Sequence, residues 1–191
     1  SYDTINGGST TDMTLASAAT INVDADEITH MLADETAGRL TIGDQDITVT
    51  NVITVDTANL LDAITSGTVT ASITTSETVN ELETLTGNHA YTIVIASGNE
   101  INSTAAEFNT INSKTTVAID LTNVTALAAS SLSDLGTLAT AIIANEFVND
   151  TGLTTIAVSD TTVDATTLAT TIDSYDTING GSTTDMTLAS A

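Results

Sequence analysis

The sequence predicts an α/β fold: a right-handed solenoid of stacked strand-plus-short-helix coils on a parallel β-sheet, about six coils per 173-residue block. Three observations predict it. Residues 1–18, SYDTINGGSTTDMTLASA, recur unchanged at 174–191, an offset of 173 residues. A helix-start pattern recurs six times with anchors Ile28, Leu60, Leu82, Phe108, Leu132 and Leu168. Their spacings of 32, 22, 26, 24 and 36 residues close to 173 when Ile28 is carried into the next block. Between the helical stretches the apolar period changes from three or four to two, which marks strands.

Taken in order, residues 1–22 read as the end of a coil, with Met13 and Leu15 inward and Gly7 and Gly8 at a turn. The coil 23–54 opens on Val23 as a hydrophobic staple and Asp24 as N-cap. Asp24 and Glu27 would form a capping box ahead of Ile28, Met31 and Leu32, and Ile47 and Val49 would line the strand at 47–52. In the coil 55–76, Val55 is the staple, Asp56 the cap, Leu60 and Ile64 the helix face, and Val69, Ala71 and Ile73 the strand face. The coil 77–102 pairs Thr78 with Glu81 before Leu82, then turns Ile93 and Ile95 inward in YTIVIAS at 91–97. The coil 103–126 repeats the box with Thr104 and Glu107 before Phe108 and Ile111. Its strand, TTVAIDL at 115–121, turns Val117, Ile119 and Leu121 inward.

In the coil 127–162 the staple is Leu127, but Ala128 stands at the cap position before Leu132. Residues 133–150 read as extra helix, and TTIAVSD at 154–160 turns Ile156 and Val158 inward. The truncated coil 163–191 has Val163, Asp164, Leu168 and Ile172, and its residues 174–191 repeat 1–18. Gly67, Gly98 and Gly152 fall at turns. The outward strand series is small: Thr48 and Thr50; Thr92, Val94 and Ala96; Thr116, Ala118 and Asp120; Thr155, Ala157 and Ser159.

Coils of this length cannot bury enough apolar surface alone, because helices under about 12 residues are marginal and a lone strand has no ladder. Stacking would solve both problems, advancing roughly 29 Å per block if neighbouring strands lie about 4.8 Å apart. A compact α/β domain of ordinary connectivity is the alternative. Open ends in mid-coil would call for more chain or another subunit.

Composition narrows the functions. The chain carries 25 acidic and 2 basic residues, Arg39 and Lys114, for a net charge of −23. Phosphate backbones and anionic membrane surfaces need clustered Lys and Arg, so neither nucleic acid nor a membrane is an expected partner. The chain has 42 Thr, no Pro and no Cys. Abundant Thr suits extended backbone, and the absence of Cys removes disulfides, thiolate zinc sites and cysteine nucleophiles.

Segments such as NSTAAEFNTINSKTTVAIDLTNVTAL at 102–127 resemble the degenerate repeats of giant secreted or cell-surface filament and adhesin proteins of aquatic bacteria, cyanobacteria included. The resemblance implies an extracellular or cell-surface, fibrous or adhesive protein, often exported with calcium-binding nonapeptide repeats. No GGxGxD run is present, so that form of calcium binding is not carried over to any residue.

No site residue for catalysis, a cofactor or a metal is assigned. His30 and His89, the only imidazoles, fall on different coils, and there is no GxSxG or HExxH. The runs Asp24-Ala25-Asp26-Glu27 and Asp44-Gln45-Asp46 gather oxygen ligands without completing a twelve-residue calcium loop, so Ca2+ or other cations are expected at most as loose associates. The expected function is a non-enzymatic structural segment of a long extracellular filament or giant surface protein. Its expected partner is itself, end to end and through lateral packing of the small-residue faces. The alternative is a binding module, an adhesin stalk or a Thr-rich surface for ice or glycan.

Overall fold

Helices start where a side-chain oxygen can take up one of the backbone N–H groups that a helix leaves free. The computed structural model describes residues 12–98, 102–150, 153, 155–181 and 184–188; Gly7, Gly8 and Gly152 lie outside them. Asp24 caps a 3-10 turn, Ala25–Glu27, which leads into α1 (Ile28–Thr36). Thr54 caps α2 (Val55–Asp62), Thr78 caps α3 (Val79–Leu82) and Thr104 caps α4 (Ala105–Asn112). Ser131 caps α5 (Leu132–Ile143), which covers only the first part of the extra helix expected over 133–150, since Phe147 and Val148 are extended, and Asp164 caps α6 (Ala165–Ile178). Both Thr-Glu capping boxes form with their two reciprocal bonds.

Three helix starts differ from the sequence reading. Asp24 accepts from the N–H of Asp26, one residue short of Glu27. Thr54, not Asp56, caps α2. The earlier start buries Val55, Ala58 and Leu61 and leaves Leu60 53% exposed; Val55 is thus the first helical residue rather than a staple. Ser131 supplies the oxygen that Ala128 lacks, so Leu132 opens α5 instead of sitting one turn in. At α2 two nearby oxygens compete for the cap, and burial of Val55, Ala58 and Leu61 selects the start.

The strands are β1 (Met13–Thr14), β2 (Thr20–Val23), β3 (Leu40–Thr41), β4 (Asp46–Ile53) and β5 (Val69–Ile73), followed by β6 (Ala90–Thr92), β7 (Ile119–Asp120), β8 (Phe147–Val148), β9 (Thr155–Val158) and β10 (Asp185–Leu188). Every pairing among the described residues is parallel, between segments 20 to 30 residues apart. The strands form one four-stranded sheet, β2-β4-β5-β6, and three two-stranded sheets, β1-β3, β7-β8 and β9-β10.

This corrects the expected right-handed solenoid of about six coils on a continuous parallel sheet. The protein is a mixed α/β structure with six α-helices and small parallel sheets of two to four strands among the described residues. Side chains break the ladders. Asp120 Oδ1 accepts from the N–H of Thr122 at 2.8 Å, and the Thr115 hydroxyl donates to the carbonyl of Tyr91 at 2.7 Å. The β4-β5 register also shifts between Thr48 and Val52. Polar side chains that bond nearby backbone compete with strand pairing, and this chain is rich in them.

The core runs through all segments as one aliphatic cluster, with Phe108, Phe147, Tyr91 and Tyr175 as its largest fully buried side chains. The expected inward residues Ile47, Val49, Val69, Ala71, Ile73, Ile93, Ile95, Ile119, Leu121, Ile156 and Val158 are buried. Val117 is only half-buried, and Met13 is 46% exposed. Helices α3, α4, α5 and α6 pack in succession, and the Tyr175 hydroxyl of α6 donates to the carbonyl of Leu135 in α5 at 3.2 Å. Both basic residues lie just past a helix C-terminus, where the helix dipole favours a positive charge. Arg39 there pairs with the buried Asp34. No helix among the described residues is long and apolar enough to cross a membrane.

Candidate functional site

The polar groups with the most consistent geometry connect one segment to the next. The first N–H of α2 donates to Glu77 Oε1 at 3.1 Å, that of α4 to Ser130 Oγ at 2.9 Å and that of α5 to Asp160 Oδ2 at 2.6 Å. Each acceptor lies 22 to 28 residues further along the chain. Helix N-termini are therefore completed twice, by their own cap and by the following segment, and two of these acceptors are carboxylates suited to the positive end of the helix dipole.

Asparagines make the second set of connections. Asn59 Nδ2 donates to the carbonyl of Thr84 at 3.0 Å while its Oδ1 accepts from the N–H of Thr86 at 2.8 Å. Asn109 donates to the carbonyl of Asp134 at 3.1 Å, Asn123 to that of Ile95 at 3.1 Å and Asn179 to that of Leu153 at 2.9 Å. Buried Gln45 reaches the carbonyl of Ala16 at 3.0 Å and accepts from the N–H of Gly43 at 2.6 Å. Sequence reasoning missed these residues. One signal was present: Asn59 lies five residues after the cap Thr54, as Asn109 does after Thr104.

An imidazole–carboxylate pair joins His89 Nε2 to Asp62 Oδ1 at 2.6 Å. His89 Nδ1 accepts the N–H of Val69 at 3.1 Å, so the ring proton sits on Nε2 and is donated to Asp62. Both nitrogens are thereby engaged by the protein, which leaves no lone pair to act as a general base. Tyr91 meets the ring edge-on, with centroids 5.4 Å apart. Burial, and then the Asp62 charge, push the Tyr91 phenol up. The arrangement ties α2, β5 and β6 together.

Burial alone would raise the Asp62 carboxyl, but donors from His89 and Thr86 outweigh it and hold the group below the usual carboxylate range. Its unfolded pKa is therefore the higher of the two. The unfolded chain takes up the proton first as pH falls, and the stability Asp62 contributes is lost as pH drops through its native value. An Asp62→Asn variant is expected to be less stable than the native chain at pH 7 by on the order of 1 kcal/mol, reduced by partial exposure. The gap should close progressively as pH falls below about 4, the ordinary carboxylate value. Urea unfolding at each pH measures it, and a gap that stays constant into acid would refute the assignment.

The acidic runs singled out from the sequence serve as acceptors within the fold. Asp24 accepts from Asn51 Nδ2 at 2.7 Å, Asp44 takes the Ser17 hydroxyl, and Asp46 Oδ1 takes the N–H of Thr68 at 2.7 Å. The Ser17 bond, chiefly, holds the Asp44 carboxyl below its ordinary value. Among the described residues no three His, Cys, Asp or Glu side chains converge on a point where a metal ion would sit. His30 is exposed on α1, away from His89 on another segment. An open groove between α4 and α5 is lined by Asn112, Thr140 and Glu146, and Asn112 bonds across it to Glu146.

Comparison with known protein families, with curated proteins and with solved structures finds no match to this chain.

Proposed function

We propose that the chain is a non-enzymatic structural segment of a long extracellular filament or giant cell-surface protein in which near-identical blocks follow one another. The observation that carries this reading is the wiring between segments: the N-termini of α2, α4 and α5, the amides of Asn59, Asn109, Asn123 and Asn179, and the paired strand edges are completed by residues 20 to 30 positions away. Such a chain is held together by neighbour contacts, which repeat as readily over many blocks as over one. The 18-residue identity at an offset of 173 supplies the repetition. The engagement of both His89 nitrogens supports a mechanical rather than a catalytic use of the His89–Asp62 pair. A binding surface of ranked threonines has weaker support, because the rank through Thr48 and Thr70 starts at Asn22 and ends at Ala90.

Electron microscopy of polypeptides carrying one, two and four consecutive blocks tests the proposal. Particles of constant width whose length grows in proportion to block number are expected. Separate or collapsed particles with no such scaling would overturn it. The net charge of −23 adds a second expectation. Self-repulsion on this scale is screened by salt, so the melting temperature should rise by on the order of 5 °C between 10 and 300 mM sodium chloride. Scanning calorimetry would show a flat response if repulsion were immaterial.

A further inference from the structure

The apolar parts of successive segments are close to interchangeable. Capped helices and parallel strands recur along the chain, and their aliphatic side chains join one cluster. Burial of aliphatic surface is non-directional, so it holds such segments together without specifying which lies on which. Strand pairing alone does not fix the match either. Ile47 faces Val69 while Ile53 faces Ile73, a register change of two residues within one pair of strands.

A second set of groups is not interchangeable. Side chains reach back to backbone that the preceding segment offers, and the sense of each bond is matched. Where a carbonyl is offered, a donor arrives: the Gln45 amide at Ala16, the Thr65 hydroxyl at Gln45 and the Thr115 hydroxyl at Tyr91. Where an N–H is offered, an acceptor arrives: Glu77 at Val55, His89 Nδ1 at Val69, Ser130 Oγ at Ala105 and Asp160 at Leu132.

Burial gives the match its force. Gln45, Thr65, His89, Thr115 and Ser130 are all buried, and a buried polar group that meets the wrong partner has no water to turn to. A carboxylate or an imidazole lone pair set against a carbonyl would be repelled by it. Position makes the same point. His89 and Thr115 face each other across the ladder and continue the row in which Ile47 faces Val69. An aliphatic residue at either place would extend the core, whereas the polar one exchanges that burial for a directional bond.

We infer that these backward-reaching side chains are an address code, fixing which segment stacks on which, and in what register, in a chain whose aliphatic contacts do not discriminate. The inference goes beyond the structural function proposed above and does not rest on it, because it concerns the order of segments within one block.

The test removes hydroxyls while keeping shape. Thr65→Val and Thr115→Val are combined in one chain, and Thr65→Ser with Thr115→Ser is the hydroxyl-keeping control. Two-dimensional amide spectra by NMR count conformers directly. The native chain and the serine variant are expected to give one cross-peak per backbone amide. The valine variant is expected to stay folded by circular dichroism but to give two or more cross-peaks for amides of β4, β5 and β6. The chain has no cysteine, so a Thr48→Cys, Thr70→Cys pair reports register as well. These residues face each other across β4 and β5, within disulfide reach. Their oxidation should be at least three-fold slower in the valine background than in the native or serine one. A valine variant with a single set of cross-peaks and a lowered melting temperature would mark the hydroxyls as plain stabilisers and overturn the inference. Complete unfolding of the valine variant, or a serine variant equally heterogeneous, would overturn it too.

Discussion

Replacing Phe108 by alanine is expected to destabilise the chain by about 3–5 kcal/mol, the range for deleting a buried aromatic. Phe108 is 1% exposed and sits with Ala105 and Ile111 on the buried face of α4, which packs between α3 and α5. Its loss therefore opens a cavity shared by three successive segments. The chain has only two Phe and a core built largely of Ile, Val and Leu, whose branched side chains do not flow into such a space. Phe108→Leu keeps most of the volume and should cost well under half as much. Urea unfolding followed by circular dichroism measures both. A Phe108→Ala cost below about 1 kcal/mol would mean that α4 is not part of the cooperative core.

Gly67→Ala is expected to cost on the order of 3 kcal/mol, the upper end for forcing atoms into filled space. A Cβ at Gly67 would stand 2.4 Å from the carbonyl oxygen of Gln45 and 2.9 Å from the nitrogen of Asp46. Both obstacles are backbone, so no side chain can swing away. The same approach carries the Thr65 hydroxyl, which donates to the Gln45 carbonyl and accepts from the N–H of Gly67 at 2.9 Å. Moving the segments apart would strain those bonds and the start of the β4-β5 pairing. Gly43 is the control, since nothing lies within 4 Å of its Cβ position. Gly43→Ala should be neutral or stabilise by about 0.5 kcal/mol through the unfolded chain. Equal effects at the two positions would show that the close approach is absent.

Local chemistry was readable in particular residues. Thr78 with Glu81 and Thr104 with Glu107 form the boxes that their spacing predicts, and Asp164 caps α6. Cap and acceptor lie three residues apart, so the bond depends on little beyond the chain itself. The period of two likewise placed Ile93, Ile95, Ile156 and Val158 in the interior. Where two oxygens stood close together, as at Thr54 and Asp56, the pattern did not decide between them. Burial of Leu61 in preference to Leu60 did.

The connecting groups were largely hidden. Thr65, Thr115 and Ser130 are three residues in a sequence crowded with hydroxyls, yet they are buried and bond backbone of other segments. Asp62 and His89 lie 27 residues apart and carry no motif. The choice of which hydroxyl to bury is made by the segment that packs over it, and that information is absent from any local window.

The sequence by itself determined the helix starts at Thr78, Thr104 and Asp164, the inward faces of most strands, the strongly acidic balance of charge and the recurrence of residues 1–18 at 174–191. Only the tertiary structure decided that the strands divide into separate small sheets, that the next segment completes each of three helix N-termini, and that one repeated strand sits at opposite edges of its two sheets. The physical reason is range. Caps and periodicity act over three or four residues, whereas strand pairing and the burial of a hydroxyl depend on backbone 20 to 30 positions away, where many small polar side chains compete on nearly equal terms.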